Sequence, residues 1–83
     1  MVNPQLIKAA RIIVGWSQHD LAERCGFSRD TISQYESNVT RPRKSTVDKI
    51  LDVFYLNGVE LIDEDLSMTI RVNKSKLVPE ILT

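Results

Sequence analysis

Cysteine occurs once, at Cys25, and histidine once, at His19. The chain can close no internal disulfide, and it lacks the four Cys and His ligands of a structural zinc site. A lone cysteine fits a reducing compartment, so a cytoplasmic protein is expected. No apolar run approaches the roughly 20 residues that cross a bilayer, and the N-terminal residues lack a secretory signal pattern. No membrane contact is expected. No Ser-His-Asp or Cys-His grouping, metal cluster or phosphate-cradling glycine loop is visible, so neither an enzyme nor a cofactor is expected. Glycine and proline number three each, too few for a low-complexity linker. What is left is 83 residues, 42% of them hydrophobic. A chain this short hides about 60–65% of its unfolded surface, so one compact core has to carry it.

Net charge is absent too, at eleven basic against eleven acidic residues, which at first argues against a polyanionic partner. The distribution says otherwise. Residues 1–45 hold seven basic and four acidic side chains, and residues 46–83 hold four and seven. Attraction to phosphate follows the local field, so a basic half can bind while an acidic half faces away. The alternative is ordinary scatter on a soluble surface.

Cap signals divide the chain into four helices. Asn3-Pro4 supplies a side-chain cap and a proline at the first helical position. Leu6, Ile7, Ala10, Ile13 and Val14 follow at helical spacing, and Gly15 ends the segment. Ser17 caps a second helix, with Asp20 reaching back and Trp16 stapling onto Leu21; it stops at Gly26. Ser28 caps a third, expected over residues 29–37, with Phe27 stapling onto Ile32 and Asn38 as a left-handed terminator. Ser45 and Asp48 form another capping-box pattern, predicting a fourth helix with Val47, Ile50, Leu51 and Phe54 on its apolar face, ending near Asn57-Gly58. Beyond it the period changes. Val59-Glu60-Leu61 and Met68-Thr69-Ile70-Arg71-Val72 alternate around an acidic stretch, the mark of a hairpin. The expected fold is mainly α: a compact four-helix domain over residues 1–58, a C-terminal β-hairpin over 59–73, and a flexible tail over 74–83.

The informative span is residues 17–36, SQHDLAERCGFSRDTISQYE. Two short helices meet at Gly26, which supplies the positive φ of a sharp turn. Ala22 is small where the helices cross, and Leu21, Cys25, Phe27, Ile32 and Tyr35 are the apolar positions that lock the pair down. Each signal alone is weak; in this order they form a helix-turn-helix signature. Residues 8–54 resemble the Cro and lambdoid-repressor, or xenobiotic-response-element, family. Ala10-Arg11, Gly15-Trp16-Ser17-Gln18, Leu21-Ala22, Gly26, Ile32-Ser33, Glu36 and Arg41-Pro42 carry the match. Residues 58–62, GVELI, resemble an extension found in short bacterial and phage members. One position departs: Asn38 stands where the family usually has glycine.

The resemblance implies a third helix that enters the major groove, where each base pair shows its own donor and acceptor pattern. Its outward base-contact positions are Ser28, Arg29, Asp30, Ser33 and Gln34. Arg29 is the most telling, because a cation in a first helical turn opposes the macrodipole by a few tenths to about 1 kcal/mol. Guanine or phosphate would compensate it; a solvated charge is the alternative. Asp30 either serves the helix start or accepts from cytosine, and Gln34 either reads adenine or is merely exposed. By the same resemblance Gln18 bridges a phosphate and the start of the third helix, and Arg41, Arg43 and Lys44 clamp the DNA backbone without reading sequence; simple surface polarity and a solvated basic loop are the alternatives. Lys8 and His19 are weaker phosphate candidates. Arg11 and Glu36 are expected to form a structural ion pair.

The leading expectation is a phage-like, sequence-specific transcriptional regulator, repressor-like, binding double-stranded DNA as a homodimer. Two modules about 34 Å apart read successive major grooves, and an exposed hairpin edge offers a two-fold interface; the alternative is a hairpin that simply covers its own domain's core. The alternative is an antitoxin-like protein that holds a protein partner and regulates its own operon.

Overall fold

The computed structural model describes residues 2–76. Among them the order is α1 (Pro4–Ile13), α2 (Gln18–Cys25), α3 (Arg29–Glu36), α4 (Lys44–Leu56), β1 (Val59–Asp63), β2 (Met68–Val72) and a 3-10 turn, Lys74–Lys76. The fold is mainly helical with a two-stranded antiparallel hairpin after the helices. The tail expected over residues 74–83 therefore begins with an ordered turn, and from residue 77 onward it lies outside the described residues.

Local chemistry starts three of the helices. The Asn3 side chain accepts from the Gln5 N–H at 2.9 Å, with Pro4 next in the chain. Ser17 and Asp20 close a reciprocal capping box, at 3.0 and 2.9 Å. The Ser28 hydroxyl accepts from the Thr31 N–H at 3.2 Å. Each such cap is worth about 1 kcal/mol against alanine. Asn38 takes φ 58° after α3, and the Val39 N–H donates back to the Gln34 carbonyl at 3.1 Å. An asparagine thus makes this left-handed turn, a conformation it accepts better than most residues other than glycine.

The fourth helix starts differently from the sequence expectation. Its cap is Arg43, extended at φ −66° and ψ 152° and without a side-chain hydrogen bond, and Ser45 lies inside the first turn. The Arg43 carbonyl accepts from both Thr46 and Val47 N–H groups. Burial of Val47, Ile50, Val53 and Phe54 sets the phase of this helix, overriding the weaker local preference of Ser45.

The core gathers Ile7, Ala10 and Val14 of the α1 segment with Leu21, Ala22 and Cys25 of α2, Ile32 and Tyr35 of α3, and the buried face of α4. Trp16 stacks on Phe54 with ring centroids 5.5 Å apart and planes at 17°, a contact worth about 0.5–1.5 kcal/mol beyond its area. The Arg24 guanidinium lies over the Trp16 ring, 4.2 Å from the ring centroid. The hairpin belongs to the same core: Val59 is buried in it, and Leu61 and Ile70 pack against it.

In the hairpin Val59 faces Val72, Leu61 faces Ile70 and Asp63 faces Met68. Asn73 donates to the Gly58 carbonyl at 2.6 Å and Glu64 to the Ser67 carbonyl at 2.8 Å. This phase makes Glu60–Arg71 and Ile62–Thr69 the hydrogen-bonded pairs. Val59, Leu61 and Asp63 therefore aim their backbone groups at one edge, and Met68, Ile70 and Val72 at the other. Gly58, at φ 85°, lets the 3-10 turn close in: a Cβ there would lie 2.6 Å from the Lys76 Cβ.

Candidate nucleic-acid interface

Helix α3 is held from behind and open in front. Its buried residues are Ile32 and Tyr35, both essentially inaccessible. The Tyr35 hydroxyl donates to the Val2 carbonyl at 2.7 Å, tying the N-terminal residues to this helix. Burial, and then the Asp63 carboxylate, push the Tyr35 phenol above its ordinary pKa. Asp63 in turn accepts from the Asn3 N–H at 2.7 Å. Residues Val2 and Asn3 thus join α3 to the end of β1.

The last residue of α3 is clamped. The Glu36 side chain is 2% exposed and receives Arg11 in a forked pair, Nε to Oε2 at 2.7 Å and Nη2 to Oε1 at 2.9 Å. The Arg11 Nη1 donates to the Trp16 carbonyl at 2.9 Å. The Glu36 hydrogen bond is the main cause that raises the Arg11 pKa above its ordinary value. No buried side-chain nitrogen or oxygen among the described residues lacks a hydrogen-bond partner, as low-dielectric surroundings demand.

At the other end Gly26, at φ 75°, terminates α2, and the Phe27 N–H donates to the Ala22 carbonyl at 2.9 Å. The corner therefore sets α3 rigidly against α2 through Ala22, which is 1% exposed. A larger side chain in that contact would part the helices.

The outward face carries the sequence-selected residues. Arg29, Asp30 and Gln34 are exposed, and Ser33 is half-buried. Among the described residues Arg29 has no ion-pair partner. Ser28 is exposed, but its hydroxyl is already shared with the Thr31 N–H and, at 3.0 Å, with the Thr31 hydroxyl. Arg41, Arg43 and Lys44 are exposed in the loop and first turn that follow α3. Lys44 pairs with Asp48 at 2.9 Å on the surface. Arg41 borders a hollow of about 390 Å³ with Tyr35, Asn38 and Pro42. Lys8 is exposed, and His19 faces Glu23 at 2.8 Å in an exposed pair.

Gln18 corrects one expectation. Its amide Nε2 donates to Glu36 Oε1 at 3.2 Å, so it meets the end of α3 and not its start. Nothing in residues 17–36 signals this contact, because it depends on how two helices cross. Thr31, which no sequence pattern marks, bonds the Ser28 hydroxyl through both its N–H and its own hydroxyl. Asp20, in the first turn of α2, is held below its ordinary pKa by the Ser17 backbone N–H and then by the Ser17 hydroxyl.

Two short helices pinned at a left-handed glycine, with the second presenting an unpaired polar face, match a family model described as helix-turn-helix over residues 7–60. The chain belongs to the helix-turn-helix family of the Cro and lambdoid-repressor type. As a helix-turn-helix protein it is a DNA-binding transcription regulator. A comparison with curated proteins returned no match. No helix among the described residues of this helix-turn-helix chain is long and apolar enough to cross a membrane.

Proposed function

We propose that this regulator is a sequence-specific, repressor-type protein of the cytoplasm that reads the major groove with α3 and binds as a homodimer. One observation carries the reading: Arg29, Asp30 and Gln34 face solvent from a helix whose opposite side is locked by Tyr35, Ile32 and Glu36. Arg29 reaches a guanine edge or a neighbouring phosphate, Gln34 suits adenine, and Asp30 suits cytosine N4. Ser33 lies one turn further back on the same face, and Ser28 contributes through whatever bonding its cap leaves free. Gln18, Arg41, Arg43 and Lys44 grip phosphates and set register.

The case for two copies is geometric. The molecule measures 36 × 31 × 18 Å, a size that leaves room for two copies to set their α3 helices at the roughly 34 Å repeat of the major groove. The hairpin supports this, since two strands leave a row of outward backbone groups on each edge. Helices α4 and α1 pack against β1, and α1 also touches β2, though less, so the β2 side is the less covered one. A second copy adding there would satisfy Met68, Ile70 and Val72.

The partner-protein reading draws on the same end of the molecule. Leu66 at the hairpin tip is fully exposed and Met68 is 48% exposed, an apolar tip that an antitoxin-like protein would offer to its partner. Selection of bound duplexes from a random pool tests the leading proposal. A palindromic consensus is expected, and enrichment of no sequence at physiological salt would refute it.

A further inference from the structure

Glu36 has more to hold than Arg11. Its Oε2 takes the Arg11 Nε, and its Oε1 takes both the Arg11 Nη2 and the Gln18 amide. A carboxylate is acceptor-only, so the Gln18 side chain must present its NH₂ group to Glu36 and its orientation is fixed. That group has two hydrogens, and Glu36 takes one of them. Gln18 is half-buried at the first position of α2, so its freedom is already limited. Arg11 cannot drift away from the cluster, because its third donor is engaged by the Trp16 carbonyl.

We infer that Glu36 is a positioning residue for DNA: by holding one amide hydrogen of Gln18, it aims the other at a backbone phosphate. The inference rests on the DNA reading above and deepens it. It ties the clamp that fixes α3 to the grip that fixes register, so α1, α2 and α3 meet the duplex as one preset unit. It also reverses a simple electrostatic expectation. Neutralising an acidic residue ordinarily favours binding to a polyanion. Here removal of the Glu36 charge loosens Gln18 and weakens binding.

A double-substitution cycle reads this directly. Gln18→Ala lowers affinity for all duplexes about ten-fold, the scale of one hydrogen bond to a charged group. The salt dependence is unchanged, since a neutral amide releases no counterion. Glu36→Leu, which leaves no acceptor for the amide, lowers affinity as well, and Gln18→Ala adds nothing further in that background. Equal ten-fold losses from Gln18→Ala in both backgrounds, or tighter binding by Glu36→Leu, would overturn the inference. If Glu36→Leu does not fold, the side-chain amide NMR spectrum of the unsubstituted protein decides. One Gln18 proton should be shifted by the carboxylate before DNA is added, and only the other should move on binding. Two solvent-like protons in the free protein would overturn it. Absence of duplex binding by the unsubstituted chain would refute the DNA reading beneath; binding with an inert Gln18 would refute this inference alone.

Discussion

Replacing Arg11 with leucine removes three hydrogen-bond donors at once: Nε and Nη2 from Glu36, at 2.7 and 2.9 Å, and Nη1 from the Trp16 carbonyl. The leucine fills part of the space but leaves a carboxylate that is 2% exposed without its counter-charge. Breaking one half of such a buried pair costs about 3–5 kcal/mol. The whole stability of a chain this size is about 4–12 kcal/mol, so the variant should sit near the edge of folding. Urea denaturation followed by far-ultraviolet circular dichroism at neutral pH measures the loss. Arg11→Leu combined with Glu36→Leu should recover much of it, because the stranded charge is gone. Arg11→Lys should fall between, keeping the charge but losing the fork. A loss below about 1 kcal/mol for Arg11→Leu would mean the pair behaves like a surface ion pair, and the clamp on α3 would be refuted.

Three further outcomes follow from separate parts of the molecule. Gly58→Ala forces a left-handed alanine against the Lys76 Cβ at 2.6 Å and should cost at least about 1 kcal/mol in the same denaturation assay; unchanged stability would contradict the close turn after β2. Burial pushes the Cys25 thiol up to about 11, so it stays protonated at pH 8 and should react with iodoacetamide far more slowly in the folded than in the unfolded chain; equal rates would refute its burial. Arg43→Ala should weaken binding to every duplex alike and reduce the salt slope by about one unit, and a loss confined to one operator would contradict a phosphate role.

What the sequence revealed was what neighbouring residues decide. Asn3, Ser17 and Ser28 announce their helices because a cap needs only a side chain and an N–H two or three positions on. Gly26 and Asn38 announce turns because few residues accept positive φ. The hairpin was legible from its alternation, although β1 runs on to Asp63 through part of the acidic stretch. The start of α4 was not legible. Ser45 and Asp48 have the capping pattern, but packing of Val47 and Ile50 begins the helix at Lys44. Contacts across the chain were hidden for the same reason. Gln18 to Glu36 spans 18 residues, Tyr35 to Val2 spans 33 and Asn3 to Asp63 spans 60, and no periodicity encodes such meetings. The candidate site was legible as a set of exposed polar positions. Which of them are already committed, as Ser28 and Gln18 are, depended on the three-dimensional arrangement.

The central claim is that α3 presents Arg29 outward to bases from a fixed support. Affinity of Arg29→Ala for a selected operator, measured beside affinity for random duplex at the same salt, tests it most directly. The expected result is a loss of about 1–3 kcal/mol on the operator, with relaxed discrimination at one base pair and an intact fold. Operator affinity equal to that of the unsubstituted protein would contradict it.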